Sequence, residues 1–300
     1  MPSRSEGKSD EHHDPEHVAE QADAGAASAR RRSVFAVGVW RARFELVQYF
    51  RSGDTLFFTF LFPIFMLGLF SVAFGGDGDV QIAPGVPALP MAQLYLPGMM
   101  AAGLLLSGFQ HLAMDIAIER SEGMLKRLGG TPLSPVSYFL GKIGQVLVTG
   151  VLQSALLLVF ASLVLGVELP TSAESWATFA WVFVLGITTS ALLGVALSAV
   201  PRTGKSATAV VVPIALALQF ISGVYLTFSQ LPEWLQNVAG LFPLKWMAQG
   251  MRAVFLPDEY AVLEQNGEWD LAGVAIALTV WLVVGLVLSR VTFRWIRRDA

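Results

Sequence analysis

Residues 143–167 run IGQVLVTGVLQSALLLVFASLVLGV, a stretch without one Asp, Glu, Lys or Arg. At a rise of about 1.5 Å per residue, such a stretch is long enough as a helix to cross the roughly 30 Å of hydrocarbon in a bilayer. It is not alone. Charge-free stretches also cover 55–76, 80–114, 175–201, 206–232 and 271–289. The one over 80–114 opens on a proline-rich loop, QIAPGVPALP, so its spanning part is 94–114. Buried helices of water-soluble proteins rarely come in sixes of this length. The reading is an all-α membrane protein with six transmembrane helices.

Composition agrees. The chain has 300 residues, 54% hydrophobic and 14% charged, where soluble domains average about 45–50% apolar and about 25% charged. Cysteine is absent, which excludes disulfides, thiol catalysis, iron–sulfur clusters and cysteine-ligated zinc within this chain. Residues 1–33 differ from the rest: they are polar, with no apolar run. They read as a disordered cytoplasmic tail and not as a secretory signal peptide. His12, His13 and His17 in this tail lack the fixed geometry a functional metal site needs. The transmembrane domain is assigned to 34–298.

Lysine and arginine set the orientation. With the N-terminus inside and six spans threaded, Arg30, Arg31, Arg32, Arg41, Arg43, Arg51, Arg120, Lys126, Arg127, Lys142, Arg202, Lys205, Arg290, Arg294, Arg297 and Arg298 fall near the spans on the cytoplasmic side. Lys245 and Arg252 fall outside, among Asp77, Asp79, Glu168, Glu174, Glu233, Asp258, Glu259, Glu264, Glu268 and Asp270. The expectation is a multi-pass protein of the cell membrane with both termini cytoplasmic.

Three segments between the spans carry further information. Over 34–52, VFAVGVWRARFELVQYFRS, Arg41, Glu45 and Gln48 form one polar stripe on an otherwise apolar helix. That pattern suits a helix lying in the membrane interface, separated from the first span at Ser52-Gly53-Asp54. The loop after the second span reads ERSEGMLKRLGGTPLSPVSYFLGK from Glu119. Glu119, Glu122 and Lys126 would share one helical face. Met124, Leu125 and Leu128 would form an apolar patch suited to docking another protein, and Gly129-Gly130 a stop. Thr131-Pro132 and Ser134-Pro135 each resemble a cap followed by proline at the first helical position. Outside, 229–270 predicts a helical hairpin at the outer leaflet: one short helix capped by Ser229, and a second from Pro243 carrying Trp246, Met247 and Met251. Tryptophans 234 and 246 suit a membrane–water boundary.

Motifs for chemistry are sparse. The turn AVPRTGKS at 199–206 resembles a phosphate-binding loop, but it joins two spans and lacks the strand and helix context such a loop needs. His111, Asp115 and Glu119 recur at i, i+4 and i+8. Ionisable groups at membrane depth usually face a bundle interior or a watery cavity. Pro63 and Pro213 permit kinks in the first and fifth spans. Gln145, Gln153 and Gln219 are suited to cross-linking helices. No Ser/His/Asp set, HExxH motif or pair of intramembrane aspartates is present, so no enzymatic activity is assigned to this chain.

The loop pattern E-R-x-x-G-x-L-x-x-L-x-x-T-P-L-S, carried by Glu119, Arg120, Gly123, Leu125, Leu128, Thr131, Pro132, Leu133 and Ser134, resembles the ABC-type-2 exporter permeases. The daunorubicin-resistance-type membrane subunit is the nearest group. The outer segment FPLKWMAQGMRAVF is also similar, through Pro243, Trp246 and Arg252. The resemblance covers roughly 34–298. It implies a permease subunit of an ATP-driven exporter. Such a subunit moves a hydrophobic or amphipathic solute, such as a drug, antibiotic or lipid-like compound, out of the cytoplasm or inner leaflet. It implies a dimer with a second copy or a paralogue, mounted on a separate ABC ATPase that binds ATP and Mg. No cofactor is expected in this chain, and no nucleic-acid partner. By the same resemblance, Glu119, Arg120, Glu122, Gly123, Met124, Leu125, Lys126, Arg127, Leu128, Thr131 and Pro132 would couple to the ATPase. The second and fifth spans would face each other across the dimer, with Met99, Met100, Phe109, Leu216, Gln219 and Phe220 along the solute path. The alternative is an ion-coupled secondary transporter, or an intramembrane enzyme, using His111, Asp115 and Glu119.

Overall fold

The computed structural model describes residues 34–75, 79–82, 84–131, 133–226 and 228–293. The polar tail, its histidines and Pro132 lie outside the described residues. Helix α1 covers 34–49. Six longer helices follow that are apolar enough to cross a membrane: α2 Gly53–Gly75, α3 Met91–Ser121, α5 Pro135–Leu165, α6 Ala173–Leu197, α7 Gly204–Ile221 and α10 Leu271–Thr292. A short α4, Met124–Gly129, lies between α3 and α5. Two more, α8 Glu233–Ala239 and α9 Pro243–Phe255, lie between α7 and α10. Among the described residues there is no strand, only one bridging pair, Val80 with Leu89.

Local chemistry accounts for most boundaries. Ser134 accepts from the Ser137 amide and precedes Pro135 at the first position of α5. Ser172 does the same for α6 through Ser175, Thr203 and Ser206 cap α7 reciprocally, and Asp270 accepts from Gly273 at the start of α10. Each cap satisfies amide donors that a helix start leaves open. Two spans contain a wide π-helical turn, Phe57–Leu61 in α2 and Leu106–His111 in α3. The first stands immediately before Pro63, which has no N–H to continue a regular ladder.

α3 is the axis of the bundle. Of its most apolar window 67% is buried, against 17% for α2 and α10. α2, α5, α6 and α7 pack around it, and α10 packs on α6. α9 departs from the expectation of an outer-leaflet hairpin. Its companion α8 starts at Glu233, behind Pro232 and not behind Ser229, and leaves Trp234 exposed. α9 itself is buried among α3, α6 and α10, with Leu244, Met247, Ala248 and Met251 in the core. Apolar residues spaced three and four apart explain the insertion. Both described ends of the chain lie at the same end of the bundle: Ser137 Oγ donates to Val34 O at 3.0 Å, and the Phe139 and Phe293 rings are 4.5 Å apart.

Candidate functional site

α1 is held against the start of α5 by small residues. A Cβ added at Gly141 would lie 2.5 Å from Arg41 Cγ, so only glycine permits this approach. The close contact brings four charged side chains together inside the protein. Arg41 Nη2 lies 2.6 Å from Glu45 Oε1, one turn on in α1. Lys142 Nζ of α5 donates to Glu45 Oε2 at 2.9 Å and to Glu119 Oε1 of α3 at 2.7 Å. Tyr138 Oη donates to the other oxygen of Glu119 at 2.6 Å. Lys142 is 2% exposed and Glu45 4%, so these charges have exchanged water for one another. The four balance formally, and they tie α1, α3 and α5 into one unit.

A second polar line runs from the same helix. Burial pushes the Tyr49 hydroxyl up to about 12, so it remains a donor throughout the physiological range. It donates to Thr59 Oγ1 of α2 at 2.5 Å, and Thr59 Oγ1 lies 3.3 Å from His111 Nδ1 of α3. Asp115, Glu119, Glu45 and Lys142 line a cavity of about 200 Å³ beside it. The stripe His111, Asp115 and Glu119 therefore faces the bundle interior, but its members are separated in role: Glu119 is saturated by Lys142 and Tyr138. Among the described residues no three His, Asp or Glu side chains converge as metal ligands.

The loop expected to couple differs from its sequence reading in four respects. Residues 119–127 are not one helix. α3 ends at Ser121, Gly123 adopts a left-handed conformation (φ 72°), and α4 begins at Met124. Glu119 therefore points into the ion cluster and does not share a face with Glu122 and Lys126. Leu125 is 1% exposed and belongs to the core, with Leu128 packed partly against it. The apolar patch thus anchors the loop to the protein itself. Thr131 is no helix cap: its hydroxyl donates to Leu128 O at 2.7 Å, because the cap of α5 at Ser134 follows too soon for another helix. What α4 presents to solvent is charged: Glu122, Lys126 and Arg127 are exposed. Arg120 instead turns toward α6, donating to Ser198 O at 2.5 Å.

The solute-path residues do not form one surface. Met99, Met100, Phe109 and Gln219 are buried in the core of the single chain, while Leu216 and Phe220 are exposed on α7. The upper part of α3, which carries Met99 and Met100, is covered by α2, α5, α6 and α9, whereas α7 packs on its lower half. Tyr225 Oη donates to Gln219 Oε1 at 2.6 Å, and Ser107 Oγ donates to Gln153 Oε1 at 2.9 Å, so Gln153 links α5 to α3.

At the opposite end, α9 carries the two cations that fell outside the arginine-rich side. Arg252 Nε donates to Glu264 Oε1 at 2.6 Å and Nη1 to Gly223 O at 3.2 Å. Lys245 donates to Gln249 and stands 3.8 Å from Glu264. Burial lowers the Lys245 ammonium from its ordinary 10.5 in spite of that carboxylate. These contacts fasten the inserted helix to the segment before α10.

Arg41, Glu45, Tyr138 and Lys142 were not singled out as site residues by sequence. Arg41 and Glu45 were visible as a stripe, but their partner lies about a hundred positions away. Comparison with known proteins bears on the whole arrangement. Residues 86–291 match the family described as ABC-2 family transporter protein. The chain is 23% identical over 185 residues to the probable multidrug ABC transporter permease YbhR of Escherichia coli K12, covering 62% of this chain and 50% of the relative. The counterpart in Escherichia coli O157:H7 gives the same values. It is 22% identical over 159 residues to YhgE of Bacillus subtilis, an uncharacterized protein, covering 53% of this chain and 19% of that one. The chain thus spans about half the length of the permeases it matches. With the family match covering well over half of these residues and six helices long and apolar enough to cross a membrane, the chain belongs to the ABC-2 transporter family.

Proposed function

We propose that this chain is the permease of an ATP-driven exporter for a hydrophobic or amphipathic solute, working as a dimer on a separate ATPase. The observation that carries this reading is the rigid elbow α3–α4–α5. Its charged side is exposed at Glu122, Lys126 and Arg127, while its apolar side is locked into the core at Leu125. One turn before the elbow, Glu119 holds Lys142 of α5. A push on α4 is therefore delivered to α3, α5 and α1 together. The likeness to the probable multidrug permease of Escherichia coli supports the solute class. Leu216 and Phe220, exposed on α7, are the members of the path set still available to a second subunit or to solute.

The test is reconstitution of the permease with its ATPase in vesicles. Reversing Lys126 and Arg127 together to Glu should leave the amount of inserted permease unchanged and abolish both ATPase stimulation and export of a lipophilic dye. Leu125→Ala should act differently, by lowering the amount of folded protein, since truncating a buried Leu costs about 2–5 kcal/mol. Wild-type coupling in the doubly reversed variant would remove this reading.

A further inference from the structure

At the end of the bundle that holds residues 34 and 293, α5 and α10 stand on either side of α6. α10 is fastened to α6, where Ser289 Oγ donates to Leu192 O at 2.9 Å. α5 meets the end of α10 through the rings of Phe139 and Phe293. Below those rings the two spans diverge and leave a slot of about 490 Å³. Its floor is Leu192 and Val195 of α6; its walls include Val136 and Ile143 of α5 and Leu286 of α10. Among the described residues its lining holds no acidic side chain and one charged group, Arg290. Arg290 is exposed and takes part in none of the ion pairs among the described residues. Beyond Phe293 the sequence continues RWIRRDA, adding Arg294, Arg297 and Arg298.

An apolar slot of this size on the lipid-facing side of a helix bundle is matched by acyl chains, the only solvent at that depth, and its volume falls in the range of small-ligand sites. Arginines immediately beyond a span attract anionic headgroups. We infer that this slot binds an anionic phospholipid of the leaflet on the arginine-rich side. One acyl chain lies on α6 between α5 and α10, with the phosphate at Arg290. Such a lipid would fill the gap between the span that carries Lys142 and the last span. The inference requires that the chain spans a bilayer; it does not require that the chain exports anything.

The experiment uses the full chain in nanodiscs of equal phosphatidylglycerol and phosphatidylcholine, with retained lipid counted by native mass spectrometry. One arginine at the headgroup is worth about a fivefold preference. The wild type should retain phosphatidylglycerol over phosphatidylcholine by at least that factor, and Arg290→Gln should lower the preference about fivefold. Leu286→Trp, which fills the slot from an exposed wall, should release both lipids. Equal retention of the two lipids by the wild type overturns the inference without any variant. An unchanged preference in Arg290→Gln overturns it as well. So does disulfide-linked dimer from Leu286→Cys in this cysteine-free chain, because a second copy would then occupy the slot.

Discussion

Lys142 is held by two carboxylates and is almost wholly excluded from water. Removing one member of a buried ion cluster strands its partners and costs about 3–5 kcal/mol. Lys142→Met should therefore lower the unfolding temperature sharply in detergent. Adding Glu119→Gln should recover much of the loss, because Arg41 and Glu45 then remain a balanced pair. If the double variant is no better than the single one, the cluster is not balanced as described. The outer cations call for a different outcome. Lys245 binds its proton more weakly in the folded protein than in the unfolded chain, and burial is the largest cause. The resulting cost is fully present at neutral pH and fades as pH rises toward 10.5, so this group makes the fold more stable with rising pH. Lys245→Met should leave thermal stability unchanged or raised, whereas Arg252→Met, which strands Glu264, should lower it. A matched loss in both would contradict the difference in their surroundings.

Among the elements, α1 depends on one close approach. At Gly141 a valine would drive its side chain into Arg41 and pry apart the faces that also bring Lys142 to Glu45 and Ser137 to Val34. Gly141→Val should expose the amides of 34–49 to rapid hydrogen exchange while α6 and α10 keep their protection. Full protection of 34–49 in that variant would show that α1 is held elsewhere. Elements were also where the sequence was most and least legible. The six spans follow from charge-free length alone, and the cap at Ser134 is readable from local pattern. The break at Gly123 was not, because a Glu-to-Lys spacing of four reads as a continuous helix unless the left-handed turn is known. The burial of α9 was not either: an amphipathic helix with two cations looks like a surface element until Glu264, a dozen or more positions later, is brought to meet them.

For the whole molecule, the two described ends lie together and an even number of candidate spans separates them. Which side they face rests on the arginine and lysine bias. Single cysteines test it in a chain that has none. Asn266→Cys should react with an impermeant maleimide added outside intact cells, while Ser121→Cys and Thr203→Cys should react only after the membrane is opened. All three positions are exposed, so access is not limited by packing. The reverse pattern would invert the topology and place α4 out of reach of any cytoplasmic ATPase. Contacts between distant residues, such as Lys142 with Glu45, are what a single sequence conceals, since nothing in local pattern records which faces of two helices will meet.

The wide turn at Leu106–His111 has a bearing on how this chain can change over time. At its start, Ser107 is pinned to Gln153; downstream, Glu119 is pinned to Lys142. A π-helical turn holds one residue more than a regular one. A residue added between those two pins would have no second wide turn to absorb it and would swing everything below by about 100°, taking Glu119 off Lys142 while Ser107 stayed in place. Point substitutions can be absorbed one neighbour at a time, but the residue count between the pins works like the teeth on a gear. Lineages of this protein should vary freely in the letters of that interval and hardly ever add to its number.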